Sequence, residues 1–179
     1  MMRVRKIGMF IDQPVFLFTG TLAEAVNTPT PLTVHHTCGV FFHDYEWNVR
    51  ELRDLVASLI RQGCVSMMFH GCRCREAEDV ADNVFVEGGF VASIGGGPED
   101  TLMTTSAEGE TTTNAVVDLY VASFPSGGFT NSGFYILSFG SDAQNDELDE
   151  LLGDPEMTIR SALSTMPRRP VLRSDDTTI

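Results

Sequence analysis

Positive charge is almost missing from the middle of this sequence. Between Arg75 and Arg160 there is no Lys or Arg, whereas the same stretch holds 17 of the 25 acidic residues. The 179-residue chain has a formal net charge of −13. Such a surface repels phosphates, so we expect no nucleic-acid partner and no unassisted phosphate binding in this half of the chain. Three interpretations stay open: a solubilising surface, a docking face for a basic partner, or a site for divalent cations.

Long apolar runs are missing too. No segment approaches the roughly 18 consecutive apolar residues of a membrane span. The short apolar stretch behind the basic start is interrupted by Asp12, Gln13 and Pro14, which argues against a secretory signal. We therefore expect a cytoplasmic protein with no membrane partner.

Cysteine and histidine are present, but not at the spacing of a common zinc site. The segments HHTC (35–38) and HGCRC (70–74) offer imidazole and thiol ligands. They contain no CxxC pair, and HxCxC rarely gives three ligands to one ion. His35 and His36 would point to opposite faces of a strand. We predict no metal site here, no cofactor, and four reduced thiols: Cys38, Cys64, Cys72 and Cys74.

Several catalytic motifs are also absent. The glycine-rich segment SIGGGPED (93–100) lacks GK[ST] and is interpreted as a flexible turn, not a Walker loop. No GxSxG elbow occurs. A Cys72 or Cys74 nucleophile activated by His43 or His70 is left as an open alternative.

What is present is an alternation of apolar runs and helical patterns. The clearest helix is Trp47–Gln62, whose apolar residues recur at helical spacing before Gly63. Weaker helices are expected at 72–84 (short or frayed), at about 112–123, at Asp146–Leu152 and after Asp154-Pro155-Glu156, and a hairpin or loop is expected at 85–100. The strand candidates are Met9–Phe18, Leu32–His36, Gly39–His43, Cys64–Phe69, Leu102–Thr105 and Phe134–Phe139.

This alternation predicts a single α/β domain over residues 1–166. We expect a mostly parallel three-layer sheet of Rossmann-like or flavodoxin-like type, with an N-terminal hairpin or edge strand. Residues 167–179 are expected to form a disordered tail. A homodimer through the edge strand is one further option.

The ends of the predicted parallel strands locate a candidate site, because ligands collect at the carboxyl edge of such sheets. The residues expected there are His43, Asp44, Tyr45, His70, Gly71, Cys72, Thr104, Thr105, Ser106 and Gly140–Asp142. If the site is catalytic, His43 or His70 would act as general base, and Asp79 or Asp44 would orient it or hold a metal.

A cluster of carboxylates follows the second of these strands. On a helix, Glu78 and Asp82 share one face, as do Glu76 and Asp79. The first interpretation is a solvated helix face. A magnesium or calcium site is the alternative, so a divalent metal stays open as a cofactor.

Three motifs in a fixed order resemble a bacterial family of short proteins described as a domain of unknown function. They are Gly63-Cys64 before an apolar strand, then Gly71 and Cys74 leading into Glu78, Asp79 and Asp82, and finally Met103-Thr104-Thr105. The resemblance covers residues 47 to about 139. It implies an α/β fold and a prokaryotic or phage source, and it supplies no reaction.

The sequence departs from that family where aromatic and histidine residues are expected. Ala77 precedes Glu78, and Ser106-Ala107 follow the Met-Thr-Thr segment. If such residues were catalytic in the family, their replacement here would imply a lost activity.

Two functions are carried forward. The first is a non-catalytic binding or interaction module, of inhibitor, immunity or ligand-binding type, that engages a basic protein partner or a small ligand. The alternative is a small hydrolase or transferase, metal-assisted or not, that uses a strand-end cleft with His43 and His70.

Overall fold

Strands and helices alternate along most of the chain. The computed structural model describes residues 3–33, 35–90, 102–121 and 130–165. Within them the strands are β1 (Arg3–Phe10), β2 (Gln13–Thr19), β3 (His36–Phe41), β4 (Cys64–His70), β5 (Met103–Ala107) and β6 (Phe134–Ser138). The helices are α1 (Leu22–Val26), α2 (Val49–Arg61), α3 (Cys74–Glu87), α4 (Thr112–Val121), α5 (Asp142–Gly153) and α6 (Pro155–Thr165).

The strands form one six-stranded sheet in the order β1-β2-β6-β3-β4-β5. Only β1 and β2 pair in antiparallel fashion among the described strands, and the other neighbouring pairs are parallel. This confirms the predicted mostly parallel α/β sheet with its N-terminal hairpin. The central strands β3, β4 and β6 are buried along their whole length because helices cover both faces.

The two faces have separate cores. On one face α1, α2 and α3 pack over the sheet around side chains such as Leu22, Leu55 and Phe69. On the other face α4 and α5 contribute Leu119 and Leu148, with Ile159 of α6 packed against them. The sheet therefore forms the middle layer of three, as expected when βαβ units wind in both directions.

The N-terminal region differs from its prediction. Met9–Phe18 is not one strand, because Ile11 and Asp12 take positive φ angles of 45° and 62° and turn the chain between β1 and β2. The predicted strand Leu32–His36 is also wrong, since β3 begins only at His36, and Val34 lies outside the described residues.

The helices agree better. α2 lies within the predicted Trp47–Gln62 and starts at Asn48, whose side chain accepts a hydrogen bond from the Glu51 amide. The helix expected at 72–84 is neither short nor frayed, because α3 runs to Glu87 and so includes the first residues of the hairpin or loop expected at 85–100. The short α1 was not predicted, and α5 starts earlier than Asp146, at a capping box of Ser141 and Gln144.

Other predictions fall outside the described residues. These are the glycine-rich turn at 93–100, the last residues of the helix expected to reach 123, and the tail at 167–179. Among the described residues, no helix is both long enough and apolar enough to cross a membrane.

Candidate functional site

Beyond the carboxyl ends of β3 and β6, the chain turns toward opposite faces of the sheet. These strands are parallel neighbours, yet β3 leads to α2 on one face of the sheet and β6 leads to α5 on the other. A crevice opens where neighbouring strands send their connections to opposite faces, and ligands of open α/β sheets bind in such crevices. The candidate site is built around this point.

His43 lies directly at the divergence and is held by a chain of hydrogen bonds. Its Nε2 is 3.0 Å from Ser138 Oγ. Ser138 Oγ donates to Asn145 Oδ1 at 2.6 Å, and Asn145 Nδ2 donates to the Gly140 carbonyl at 3.3 Å. Because the Ser138 proton is committed to Asn145, His43 Nε2 must donate to Ser138. The neutral ring then keeps Nδ1 unprotonated, as a hydrogen-bond acceptor.

His70 is fixed in a similar way at the end of β4. Its Nδ1 lies 3.3 Å from the Ala107 carbonyl, and a carbonyl can only accept, so Nδ1 carries the proton. Nε2 is therefore the acceptor of this ring. The ring of Phe41 has its centroid 5.4 Å from that of His70 and 6.2 Å from that of His43. The two imidazoles thus flank one aromatic side chain.

The backbone of the β4–α3 loop lies directly against His43. Gly71 has a φ of +92°, and a Cβ there would be 2.5 Å from the His43 amide nitrogen. The Phe42 amide donates to the His70 carbonyl and the Cys72 amide to the His43 carbonyl, both at 2.9 Å. Glycine at position 71 is what allows the two loops to approach so closely.

The side chain of Trp47, in the loop between β3 and α2, also contacts the β4–α3 loop. Its indole Nε1 donates to the Cys72 carbonyl at 3.0 Å. The Arg73 guanidinium lies 4.2 Å from the centroid of the Trp47 ring and forms an ion pair with Glu76 at 2.6 Å. The charge of Arg73, next in sequence to Cys72, is therefore engaged in these contacts.

A cavity of about 570 Å³ opens between these loops. Its walls include five residues that the strand ends had placed in the candidate site: His43, Asp44, His70, Gly71 and Cys72. The described lining holds three carboxylates (Asp44, Glu46 and Glu110), two imidazoles and no Lys or Arg. Gln144 of α5 donates to Asp44 Oδ2 at 2.8 Å and so joins the two sides of the crevice.

Burial sets the protonation of the site. It lowers the pKa of His43, and the neighbouring His70 lowers it further, whereas Asp44 acts in the opposite direction. Burial also lowers the pKa of His70, against the effect of its bond to Ala107. Glu110 is largely exposed, and partial desolvation together with Asp118 raises its pKa. Neutral imidazoles beside carboxylates therefore line the cavity at neutral pH.

Comparison with protein families identifies the chain over most of its length. A model described as a domain of unknown function, DUF7684, matches residues 20–155. The chain belongs to the DUF7684 family. No curated protein and no solved structure matches the chain. The family match confirms the resemblance inferred from the three sequence motifs.

The DUF7684 segment contains the whole described lining of the cavity, from His43 to Gln144. It also contains β3, β4, β5 and β6, whereas the hairpin β1–β2 and nearly all of α6 lie outside it. The family match thus coincides with the parallel strands that create the crevice.

Other predicted site residues lie elsewhere in this DUF7684 domain. Thr104 donates to Asp82 at 2.6 Å and Ser106 donates to Glu78, both on the side of α3. Thr105 is half-buried in β5 and does not line the cavity. Asp79 is exposed on α3 and does not line it either.

The sequence did not predict six of the lining residues: Glu46, Ala107, Gly109, Glu110, Thr112 and Gln144. Glu46 follows β3 by a few residues, and Glu110 lies between β5 and α4, so both follow strand ends and could have been included. The position of Gln144 depends on β6 lying beside β3, which no local pattern reveals.

The lowered pKa values of His43 and His70 predict a pH-dependent stability. Unfolded histidine has a pKa of about 6.5, so the unfolded chain takes up protons first as the pH falls below that value. The free energy of unfolding should therefore decrease between about pH 7.5 and about pH 5.5. His70→Gln keeps a donor near the Ala107 carbonyl but cannot titrate, so its decrease should be smaller.

Urea denaturation of both proteins at the two pH values measures this difference. The raised pKa of Glu110 acts in the opposite direction, because the folded protein then binds that proton first, and it is common to both proteins. Equal decreases for wild type and His70→Gln would show that His70 is not a buried neutral imidazole.

Proposed function

We propose that this protein is a binding module whose cavity takes a positively charged nitrogen group, either a small amine or guanidine or the Lys or Arg side chain of a basic partner. The observation that carries the proposal is the described lining: Asp44, Glu46 and Glu110 with two neutral imidazoles and no cationic side chain. Cationic donors are the natural complement of such a set.

The acceptors are arranged in two groups. The carboxylates of Asp44, Glu46 and Glu110 are exposed, whereas His43 is half-buried and His70 is buried. The fixed tautomers leave His43 Nδ1 and His70 Nε2 as acceptors for N–H donors. Exposed carboxylates would attract the cation, and the imidazoles would receive its hydrogen bonds.

Size and charge agree with such a ligand. A volume of about 570 Å³ is within the usual range for a small-molecule cavity. The net charge of −13 produces a negative potential that accelerates the approach of cations. Among the described residues, the cavity carboxylates and imidazoles do not converge as a metal-ligand group does. This favours an organic cation over a bare metal ion.

Calorimetric titration with putrescine and with agmatine tests the proposal, with butane-1,4-diol as the neutral counterpart of putrescine. We expect the diamine to bind and the diol not to, and we expect binding to weaken with salt. The double variant Asp44→Asn/Glu110→Gln should bind about tenfold more weakly, since each exposed charge contributes modestly. An arginine-containing peptide serves as the second arm, and tighter binding of the peptide would point to a basic protein partner.

Glu156→Gln is the matched control, because Glu156 is exposed on α6 and lies outside the cavity lining. Combined with Glu147→Gln, at a second exposed position outside the cavity lining, it removes the same two negative charges as Asp44→Asn/Glu110→Gln and should leave affinity within about twofold. Equal weakening in the control and in Asp44→Asn/Glu110→Gln would show that the weaker binding comes from the change in net charge and not from the loss of the cavity carboxylates. Equal binding of the diol and the diamine would contradict the proposal.

The second candidate is a hydrolase or transferase that uses His43 as general base. The bonds from His43 through Ser138 to Asn145 support it, because they hold a neutral imidazole in one tautomer. Ser138 is fully buried and would position the ring, so the nucleophile would be water or a second substrate. An activity found in an ester and amide screen should be lost in His43→Gln, and its survival would remove this candidate.

A further inference from the structure

A second cluster of chemically reactive side chains lies in the core, away from the cavity. His36 Nε2 or Nδ1, Cys38 Sγ and Cys64 Sγ lie within 4.8 Å of one another, and all three residues are fully buried. His36 and Cys38 alternate along β3, so they share one face of the strand. Cys64 begins β4 and pairs with His36 in the sheet.

The imidazole of His36 is oriented like that of a metal ligand. Its Nδ1 lies 3.1 Å from the Thr33 carbonyl and must donate to it, so Nε2 carries the free lone pair. Nε2 is buried and has no hydrogen-bond partner among the described residues. A buried acceptor without a partner destabilises the folded state. Metal-bound histidines typically donate their second nitrogen to a carbonyl in this manner.

A second buried polar atom belongs to the core that contains Cys38 and Cys64. Tyr135 of β6 pairs with Cys38 in the sheet, and the two belong to the same core. The Tyr135 hydroxyl is buried and also has no partner within the described ranges. Burial, together with the nearby Cys38, raises the pKa of this hydroxyl. Two unpaired polar atoms beside two thiols are difficult to explain by packing alone.

We propose that His36 Nε2, Cys38 Sγ and Cys64 Sγ bind one zinc ion, with the Tyr135 hydroxyl beside them. On binding, each thiol releases its proton to solvent, including the one that Cys64 donates to the Ser66 carbonyl. Two thiolates, a neutral imidazole and Zn²⁺ sum to zero charge. A monovalent copper ion would leave one negative charge in the core, where an unpaired charge is costly.

The geometry is close to that of a bound site. Zinc–sulfur and zinc–nitrogen bonds of about 2.3 Å and about 2.0 Å place tetrahedral ligand atoms about 3.5–3.8 Å apart. The two sulfurs and one ring nitrogen of His36 lie within 4.8 Å of one another here, so shifts of about 1 Å, together with the orientation of the imidazole, close the site. Because all three residues are fully buried, the ion would be captured as the chain folds.

The test is to unfold the full chain in reductant, refold it with zinc or cobalt, remove unbound metal, and measure metal content. We expect one zinc per chain and, for cobalt, a thiolate-to-metal charge-transfer band. Cys38→Ala and Cys64→Ala should lose both. Cys72→Ser is the matched control, because Cys72 is only partly buried and does not belong to the cluster, so its metal content should be unchanged.

Three results would overturn the proposal: wild type without stoichiometric zinc after refolding, cobalt without the charge-transfer band, or full metal content in Cys64→Ala. If circular dichroism shows that an alanine variant does not fold, the metal content and the cobalt band of the wild type and of Cys72→Ser still test the proposal. Putrescine binding is a separate readout, so failure here leaves the cavity proposal untouched.

Discussion

Gly71→Ala should lower the free energy of unfolding by about 3–5 kcal/mol and abolish binding in the cavity. The new Cβ would lie 2.5 Å from the His43 amide nitrogen and 2.9 Å from its carbonyl oxygen, and backbone atoms cannot move aside as a flexible side chain can. Alanine is in addition strained at a φ of +92°. Relief of this overlap requires the β3 and β4 loops to separate, which displaces His43.

The variant Gly89→Ala separates the effect of backbone strain from the effect of steric overlap. Gly89 also has a positive φ, +64°, but no atom of the described chain lies within 4 Å of a Cβ built there. Its loss should be limited to about 1–2 kcal/mol from backbone strain. Urea denaturation of both variants gives the comparison, and similar losses would show that the contact between Gly71 and His43 is not tight.

Trp47→Ala should be nearly as severe, with a loss of about 3–5 kcal/mol. The indole is 3% exposed, its ring centroid lies 5.6 Å from that of Phe42, and its Nε1–H satisfies the Cys72 carbonyl. Removal leaves a void, an unpaired carbonyl and an Arg73 guanidinium without its aromatic partner. The loop that carries Cys72 should loosen, and putrescine should bind more weakly.

Because Trp47→Ala removes the single tryptophan of the sequence, its unfolding in urea is followed by far-ultraviolet circular dichroism instead of tryptophan fluorescence. Two further variants serve as comparisons. Trp47→Phe retains much of the packing but not the hydrogen bond, so its loss should be intermediate. Val49→Ala, in the same segment, removes a side chain that is about half exposed and should change stability by less than about 0.5 kcal/mol. A Trp47→Ala protein as stable as Val49→Ala would show that the indole does not hold the loops together.

The elements that could be predicted best from the sequence are those whose buried side chains are large. The helical spacing of Leu52, Leu55 and Leu59 located α2, because each of these side chains is buried against the sheet. α3 was underestimated since its inner face is built partly from Ala77 and Ala81, which add little to an apolar pattern. Such small side chains fit where a helix packs closely, and that closeness is a tertiary property.

Short elements and unusual turns were harder to predict. α1 has only five residues, too few to show a helical period, although its Thr21–Glu24 capping box was a usable signal. The turn at Ile11 and Asp12 has positive φ at both residues. Hairpin turns of this kind usually contain Gly or Asn, and a β-branched residue there conflicts with local preference.

The candidate site could be predicted only in part, because some of its residues come together through the order and register of the strands. His43 and His70 follow apolar strands, so their place at the carboxyl edge depends only on the strands being parallel. The contact between Asp44 and Gln144 spans 100 residues and depends on sheet order. The pairing of His36 with Cys64 depends on strand register, whereas the sequence had combined HHTC (35–38), which contains His36 and Cys38, with HGCRC (70–74) and not with Cys64.

The most direct test of the binding site is a long-range ¹H–¹⁵N spectrum of the histidine rings, recorded with and without putrescine. The hydrogen-bond chain predicts a neutral His43 protonated at Nε2 and a neutral His70 protonated at Nδ1. Putrescine should shift His43 Nδ1 and His70 Nε2 and leave His36 unchanged. Reversed tautomers, or histidine signals that do not move when putrescine is added, would contradict the assignment of this cavity as a cation-binding site.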